Sequence, residues 1–298
     1  GVISTGALIE NFDIYGTINT TIQNAGGVVG YARDEGPTIR NIHSFVNINN
    51  TCAGGRQGGI LGNSNVGTVV VENCWYSGTL DGNDAANNGN YGGIVGYVQN
   101  KATAISTINN CMFDGKLINT AETPGNCTFG GIIGYNNGGK ATIKNCLSIG
   151  TLQSAITGQF FGKINGNNST FVNNYYEGEF VNGNGSAGTV SGDTPVEVNA
   201  DQLKSGEVTA KLGFAYRQNI GDDETPVLDP THAFVAEITE AGYATLYVED
   251  SDISIPEGVE AFAGVEDGEY LKLNAIEGKI AAGEPVVLKG AAGFYSFA

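Results

Sequence analysis

The stretch Gly92-Gly93-Ile94-Val95-Gly96-Tyr97, followed by Thr107-Ile108-Asn109-Asn110-Cys111-Met112-Phe113-Asp114-Gly115-Lys116-Leu117, decides the fold because both halves recur. The first half returns as Gly26-Gly27-Val28-Val29-Gly30-Tyr31, as Gly58-Gly59-Ile60-Leu61-Gly62 and as Gly130-Gly131-Ile132-Ile133-Gly134-Tyr135. A degraded copy reads Gly158-Gln159-Phe160-Phe161-Gly162. Copies of the second half begin at Leu8, Thr38, Val70, Thr107, Thr142 and Thr170, with spacings of 30, 32, 37, 35 and 28 residues. One such unit cannot bury its apolar face alone, whereas stacked units can.

The columns of the second half carry physical meaning. Its second position is Ile9, Ile39, Val71, Ile108, Ile143 and Phe171, always apolar, which predicts a core stack. The third (Glu10, Arg40, Glu72, Asn109, Lys144, Val172) is mostly polar and is expected to face out. The fourth is asparagine in every copy: Asn11, Asn41, Asn73, Asn110, Asn145 and Asn173. Asparagine tolerates the left-handed conformation, so this column predicts a corner whose amides stack as a ladder and bond backbone groups that the turn leaves unpaired. Cys74, Cys111 and Cys146 share the next column with Phe12 and Ile42, which predicts small, inward, unbridged thiols. The ninth column is glycine except for Val46, as a second bend would require. Short β-rich runs without a sustained 3.6-residue period complete the case for an all-β chain, a parallel β-solenoid with in-register ladders. Polar loops at 81–91 and 119–127 absorb the variation in period and are expected on one side.

Composition agrees. The 298 residues include 46 glycines, and only 15% of residues are charged. The formal net charge of −17 opposes nucleic-acid binding. Acids concentrate late: residues 1–190 hold eleven acids and eight bases, residues 201–298 eighteen and six. No apolar run is long enough to span a membrane as a helix. The chain opens partway into a repeat, and a signal peptide is expected to precede it.

The shift in composition predicts a solenoid over 1–192, a capping or linker segment over 193–230 and a small antiparallel, sandwich-like β-domain over 231–298, the domain truncated or its last strand left as an unpaired edge. One helix is expected within 195–212, capped by Asn199 or Asp201, buried through Leu203, Val208 and Leu212, and stopped by Gly213.

Chemistry-bearing constellations are sparse. His43 shares a column with Asp13, Trp75, Met112, Leu147 and Tyr175, a tolerance that marks a packing or surface position. His232 falls at the expected linker. Without a second histidine beside either, neither a zinc site nor a Ser-His-Asp triad is expected. The Asp81-Gly82-Asn83-Asp84 loop lacks the glycine and glutamate of a calcium loop, and Asp222-Asp223-Glu224 reads as a solvated turn. Gly183-Asn184-Gly185-Ser186-Ala187-Gly188 satisfies a dinucleotide pattern without the helix that pattern needs. No catalytic residue, metal site or cofactor is expected. The remaining candidates are aromatic: Tyr31, Tyr97 and Tyr135 at equivalent repeat positions, and Trp75 and Tyr76 after the asparagine, as a surface for a sugar ring or a protein.

The Gly-Gly-Ile-Val-Gly-Tyr half with its Ile-x-Asn-Cys and Gly-x-Leu partner resembles the GLUG repeats of secreted and surface-attached bacterial proteins, over about residues 8–180. The segment 217–229 and the strings 241–247 and 255–259 resemble parts of Bacteroidetes surface proteins. The resemblance implies a cell-surface or extracellular location and a non-catalytic role. From it we expect a monomeric adhesin or binding protein that contacts a host or dietary glycan or a matrix protein. A structural spacer and a β-helix polysaccharide-active enzyme are the alternatives.

Overall fold

The computed structural model describes residues 1–34, 36–65, 67–83, 88–99, 101, 104–154, 156–166, 169–178, 180–182 and 190–298. The Gly183–Gly188 string and Asp84 lie outside the described residues. The chain forms two compact units, 1–197 and 198–298.

The first unit is a parallel β-solenoid of about five turns. Each full coil contributes to four ladders. One runs through Val2–Ile3, Val29–Ala32, Leu61–Ser64, Val95–Val98, Ile133–Asn137 and Phe161–Asn165, here called the tyrosine face. The second, the asparagine face, contains Leu8–Ile14, Thr38–Ser44 and Gly67–Tyr76, then the split pairs Ala104–Asn109 with Met112–Phe113, Lys140–Lys144 with Leu147–Ser148, and Ser169–Val172 with Tyr175–Tyr176. The third holds Thr17–Thr20 to Thr151–Gln153, and the fourth Asn24–Gly26 to Ile156–Gly158. The repeat columns are in register: Ile9 pairs with Ile39, Ile39 with Val71, Val71 with Ile108, Ile108 with Ile143 and Ile143 with Phe171. The copies from Ile39 to Phe171 are buried in one continuous apolar core. Loops 81–91 and 119–127 both leave the third ladder and enter the fourth, so they share a corner. The first ends inside, with Tyr91 wholly buried.

The Gly-Gly pair is a corner rather than part of one strand. Gly92 ends the strand Asn90–Gly92, and Val95 begins the next. A Cβ on Gly92 would collide with the Val95 carbonyl oxygen, and one on Gly93 with the Gly131 carbonyl oxygen of the next coil. The ninth-column glycines answer a similar demand. A Cβ on Gly115 would strike the Gly78 carbonyl oxygen, so close approach of coils fixes glycine there.

The asparagine column is left-handed throughout, with φ of 65° at Asn11, 54° at Asn41, 50° at Asn73, Asn110 and Asn145, and 51° at Asn173. Its amides form a ladder. Asn41 Nδ2 donates to Asn11 Oδ1 at 2.8 Å, Asn73 to Asn41 at 3.0 Å, Asn110 to Asn73 at 3.0 Å, Asn145 to Asn110 at 3.1 Å and Asn173 to Asn145 at 2.9 Å. In this ladder the amides bond one another, where the sequence suggested that they bond backbone groups left by the turn. Backbone groups around the turn are served by the following column. The Sγ atoms of Cys74, Cys111 and Cys146 reach the carbonyls of Ile39, Val71 and Ile108, one coil back. Cys146 Sγ also accepts from Cys111 N, and Asn174 does the same work in the last coil, accepting from Cys146 N and donating to Ile143 O. The thiols are free, and burial pushes those of Cys74 and Cys146 well above the usual range. Cys127 is buried as well, although it sits in a loop.

The second unit corrects two expectations. The three-part division becomes two units: Val196–Glu197 still pairs with the solenoid strand Tyr175–Tyr176, whereas residues from 198 onward belong to the C-terminal unit. The expected single helix is two, Ala200–Lys204 and Glu207–Leu212, because Gly206 takes a left-handed φ of 87° between them. Asn199 caps the first in a capping box with Gln202. Buried Gln218 accepts from Thr209 and donates to the carbonyl of Leu203. Its own carbonyl accepts from Ser296, so residues 198–230 are tied to the last strand. That strand, Gly293–Phe297, is not the unpaired edge that the sequence suggested: it pairs antiparallel with Phe234–Ile238. Tyr243–Leu246, Val286–Gly290, Val259–Asp267 and Tyr270–Ile276 form the main antiparallel sheet over a core that includes Ile238, Leu246, Leu288 and Phe297. Among the described residues no helix is long and apolar enough to cross a membrane.

Replacing Asn110 by Ala puts a Cβ without polar recourse into the left-handed region and removes two ladder bonds. The expected loss is about 2–4 kcal/mol in denaturant unfolding. Replacing Asn109 by Ala removes a buried Oδ1 that has no partner and should cost less than about 0.5 kcal/mol. Equal losses would show that the ladder is not structural.

Candidate functional site

The alternation of the tyrosine face sends Ala32, Ser64, Val98 and Asn136 inward, where they are buried, and their neighbours outward. One outward column runs Tyr31, Asn63, Tyr97, Tyr135 and Lys163. The next follows it as Arg33, Asn65, Gln99, Asn137 and Asn165. Neither column contains a carboxylate, in a chain with 31 acids. Three of the five aromatic candidates therefore share one face, as equivalent repeat positions require.

Two cations lie against these rings. The guanidinium carbon of Arg56 sits 4.1 Å from the Tyr97 ring centre, and Lys163 Nζ 5.0 Å from that of Tyr135. Tyr97 and Tyr135 meet edge to face at 5.4 Å. Asn137 joins their hydroxyls: its Nδ2 donates to Tyr97 at 2.6 Å, and its Oδ1 accepts from Tyr135 at 2.9 Å. Tyr97 is thus covered, while Tyr31 and Tyr135 remain partly exposed. Burial and the neighbouring Tyr97 push the Tyr135 hydroxyl above its usual range.

Beside Tyr31, which pairs with Val2, the face opens into a groove of about 420 Å³ lined by Val2, Gln23, Asn24, Tyr31, Arg56, Asn63 and Gln99 among others, none of them acidic. Asn63 at its floor is fully buried. Its Nδ2 donates to Asn24 Oδ1 at 2.9 Å, and its Oδ1 has no partner. Such a lining of one aromatic ring, several planar amides and a guanidinium suits a polyhydroxylated ligand: the ring takes an apolar sugar face and the amides take hydroxyls.

Trp75 and Tyr76 lie elsewhere. Tyr76 is fully buried and its hydroxyl donates to Val46 O at 3.1 Å, so it is a core residue and leaves the candidate surface. Burial raises its hydroxyl beyond the usual range. Trp75 is on the outer side of the asparagine face, stacked on His43 at 3.7 Å, with Phe45 and Tyr15 continuing the row. His43 and Phe45 are stacked between neighbours, whereas Tyr15 at the end of the row stays exposed. His43 Nε2 lies 2.7 Å from Ser77 Oγ, which donates to Asp114 Oδ1 at 2.6 Å. This is not a nucleophile triad: the hydroxyl proton points to the carboxylate, and with Asp114 ionised His43 is the donor. In the C-terminal unit His232 Nδ1 lies 2.7 Å from Asp223 Oδ2, within a compact unit rather than a linker. Glu224 pairs with Lys204.

Sequence reasoning missed Arg56, Asn63, Ser77 and Asp114. Arg56 precedes the glycine corner at the position of Asn24 and Asn90, and Asn63 stands in the tyrosine column, so register alone places both. Ser77 and Asp114 share the eighth column of the repeat, on the same outer side as the sixth-column His43.

Comparison with protein-family models, curated protein sequences and solved structures finds no match for the chain.

Burial raises the Asp114 carboxyl above the usual range, opposed by the Ser77 hydroxyl. A carboxyl raised in the folded state contributes stability below its unfolded pKa, and that contribution is lost as pH rises through the folded value. Asp114→Asn keeps the acceptor for Ser77 without the charge. Its melting temperature relative to wild type should rise between about pH 3 and pH 7. A relative fall over that range would contradict this account of the site.

Proposed function

We propose that this chain is a non-catalytic glycan-binding protein of the bacterial surface or exterior, and that the tyrosine face, with its groove at Tyr31, is the contact surface. The observation that carries the reading is the band of tyrosines and planar amides, free of carboxylates, that register assembles on one side of the solenoid. A ladder repeats its contacts at strand spacing, about 4.8 Å per coil, which suits an extended chain of similar units lying along the axis. The GLUG-like repeats support the surface location and the adhesin-type role.

The test is binding of the purified chain to an array of neutral and acidic oligosaccharides, with two variants. Tyr31→Ala should weaken binding about tenfold through loss of ring contact. Trp75→Ala, on another face, should leave it unchanged. Retention of no saccharide by the folded wild-type chain would contradict the proposal and favour the spacer role. Equal losses in the two variants would move the surface away from the tyrosine face.

A further inference from the structure

We infer that the groove at Tyr31 selects an acidic saccharide and that Arg56 receives its anionic group, an inference that rests on the glycan-binding reading above. Among the described residues no carboxylate pairs with the Arg56 guanidinium, although the protein carries 31 acids against 14 bases. The neighbours in its own column are Asn24 and Asn90, and the groove lining holds no acid. Arg56 is also pre-positioned. Its guanidinium rests over the Tyr97 ring at 4.1 Å, and Tyr97 is itself fixed by Asn137. Stacking uses the guanidinium face and leaves N–H donors at its planar edge, the geometry that takes two oxygens of one anion.

A second observation stands beside it. The buried Asn63 Oδ1 in the groove lining accepts no hydrogen bond from the protein, an arrangement that disfavours burial unless a donor is supplied. Asn63 lines the same groove as Arg56, so a ligand that offers a hydroxyl donor and an anion together suits both. Sugar rings with a carboxylate or a sulfate ester have that combination, and a neutral sugar has only half of it. Lys163 over Tyr135 lies three coils beyond Asn63 on the same face, about 14 Å along the axis by strand spacing, and places a second cation in line for a repeating acidic chain.

The experiment is calorimetric titration of the whole chain with three oligosaccharides of equal length: neutral, uronic acid and sulfated. Wild type is expected to bind at least one acidic oligosaccharide about tenfold or more tightly than the neutral one, the difference a charge-assisted pair makes. The uronate and sulfate arms identify the source of the charge. Arg56→Gln should remove the preference, and Arg56→Lys should restore only part of it because a point charge lacks the planar fork. In the wild-type chain, which needs no refolding control, raising salt from about 50 to about 300 mM should weaken the acidic complex and leave neutral binding unaltered. Neutral binding equal to acidic binding, lost with Tyr31→Ala but kept in Arg56→Gln, would overturn the charge inference and leave the glycan reading standing. No binding in any arm would overturn both. Acidic binding unchanged in Arg56→Gln would place the anion elsewhere and overturn the inference alone.

Discussion

A left-handed asparagine is the constraint on which the solenoid depends. Each second-half repeat must turn its chain between positions three and five, and at all six corners that turn runs through one residue at positive φ. An ordinary side chain there costs about 1–2 kcal/mol. Asparagine relieves this with a short polar side chain, and stacking then puts its amide within reach of the next. The corner and the ladder are therefore one device. The corner interrupts the strand ladder, and the inward column beside it compensates: a thiol in three coils and an amide in the last bridge the stranded backbone groups to the next coil. Those cysteines thus act as hydrogen-bonding groups and as small core fillers together.

Once the corners are fixed, the faces follow. Strict register stacks each outward position on its counterpart in the next coil, so a column brings its side chains together in one row. On the tyrosine face it gathers tyrosines, asparagines and two ring-seated cations without an acid. On the asparagine face it gathers rings that occupy one another. The same rule that builds the core thus makes two aromatic surfaces, and of the two the tyrosine face opens into a polar groove.

Much of this was legible in the sequence because period and column carry it. The asparagine corner, the apolar stack at Ile39 to Phe171 and the shared row of Tyr31, Tyr97 and Tyr135 are direct consequences of in-register stacking. What was not legible depends on how coils close. Tyr76 reads as a surface aromatic beside Trp75, yet alternation after the corner turns it inward. The helix over 195–212 breaks because Gly206 takes a left-handed conformation that composition only hints at. Arg56 and Asn63 carry no motif of their own. Their importance comes from Tyr97 beneath one and the missing partner of the other, which only packing reveals.

The corner and the ladder can be separated at Asn73, which has neighbours on both sides. Glycine there keeps the left-handed corner and deletes the amide, whereas alanine loses both. Denaturant unfolding of wild type, Asn73→Gly and Asn73→Ala is the direct measurement. The account predicts that both variants are less stable than wild type and that alanine falls below glycine by about 1 kcal/mol. A glycine variant as stable as wild type would show that the ladder contributes nothing, and alanine matching glycine would show that the left-handed corner is not the constraint.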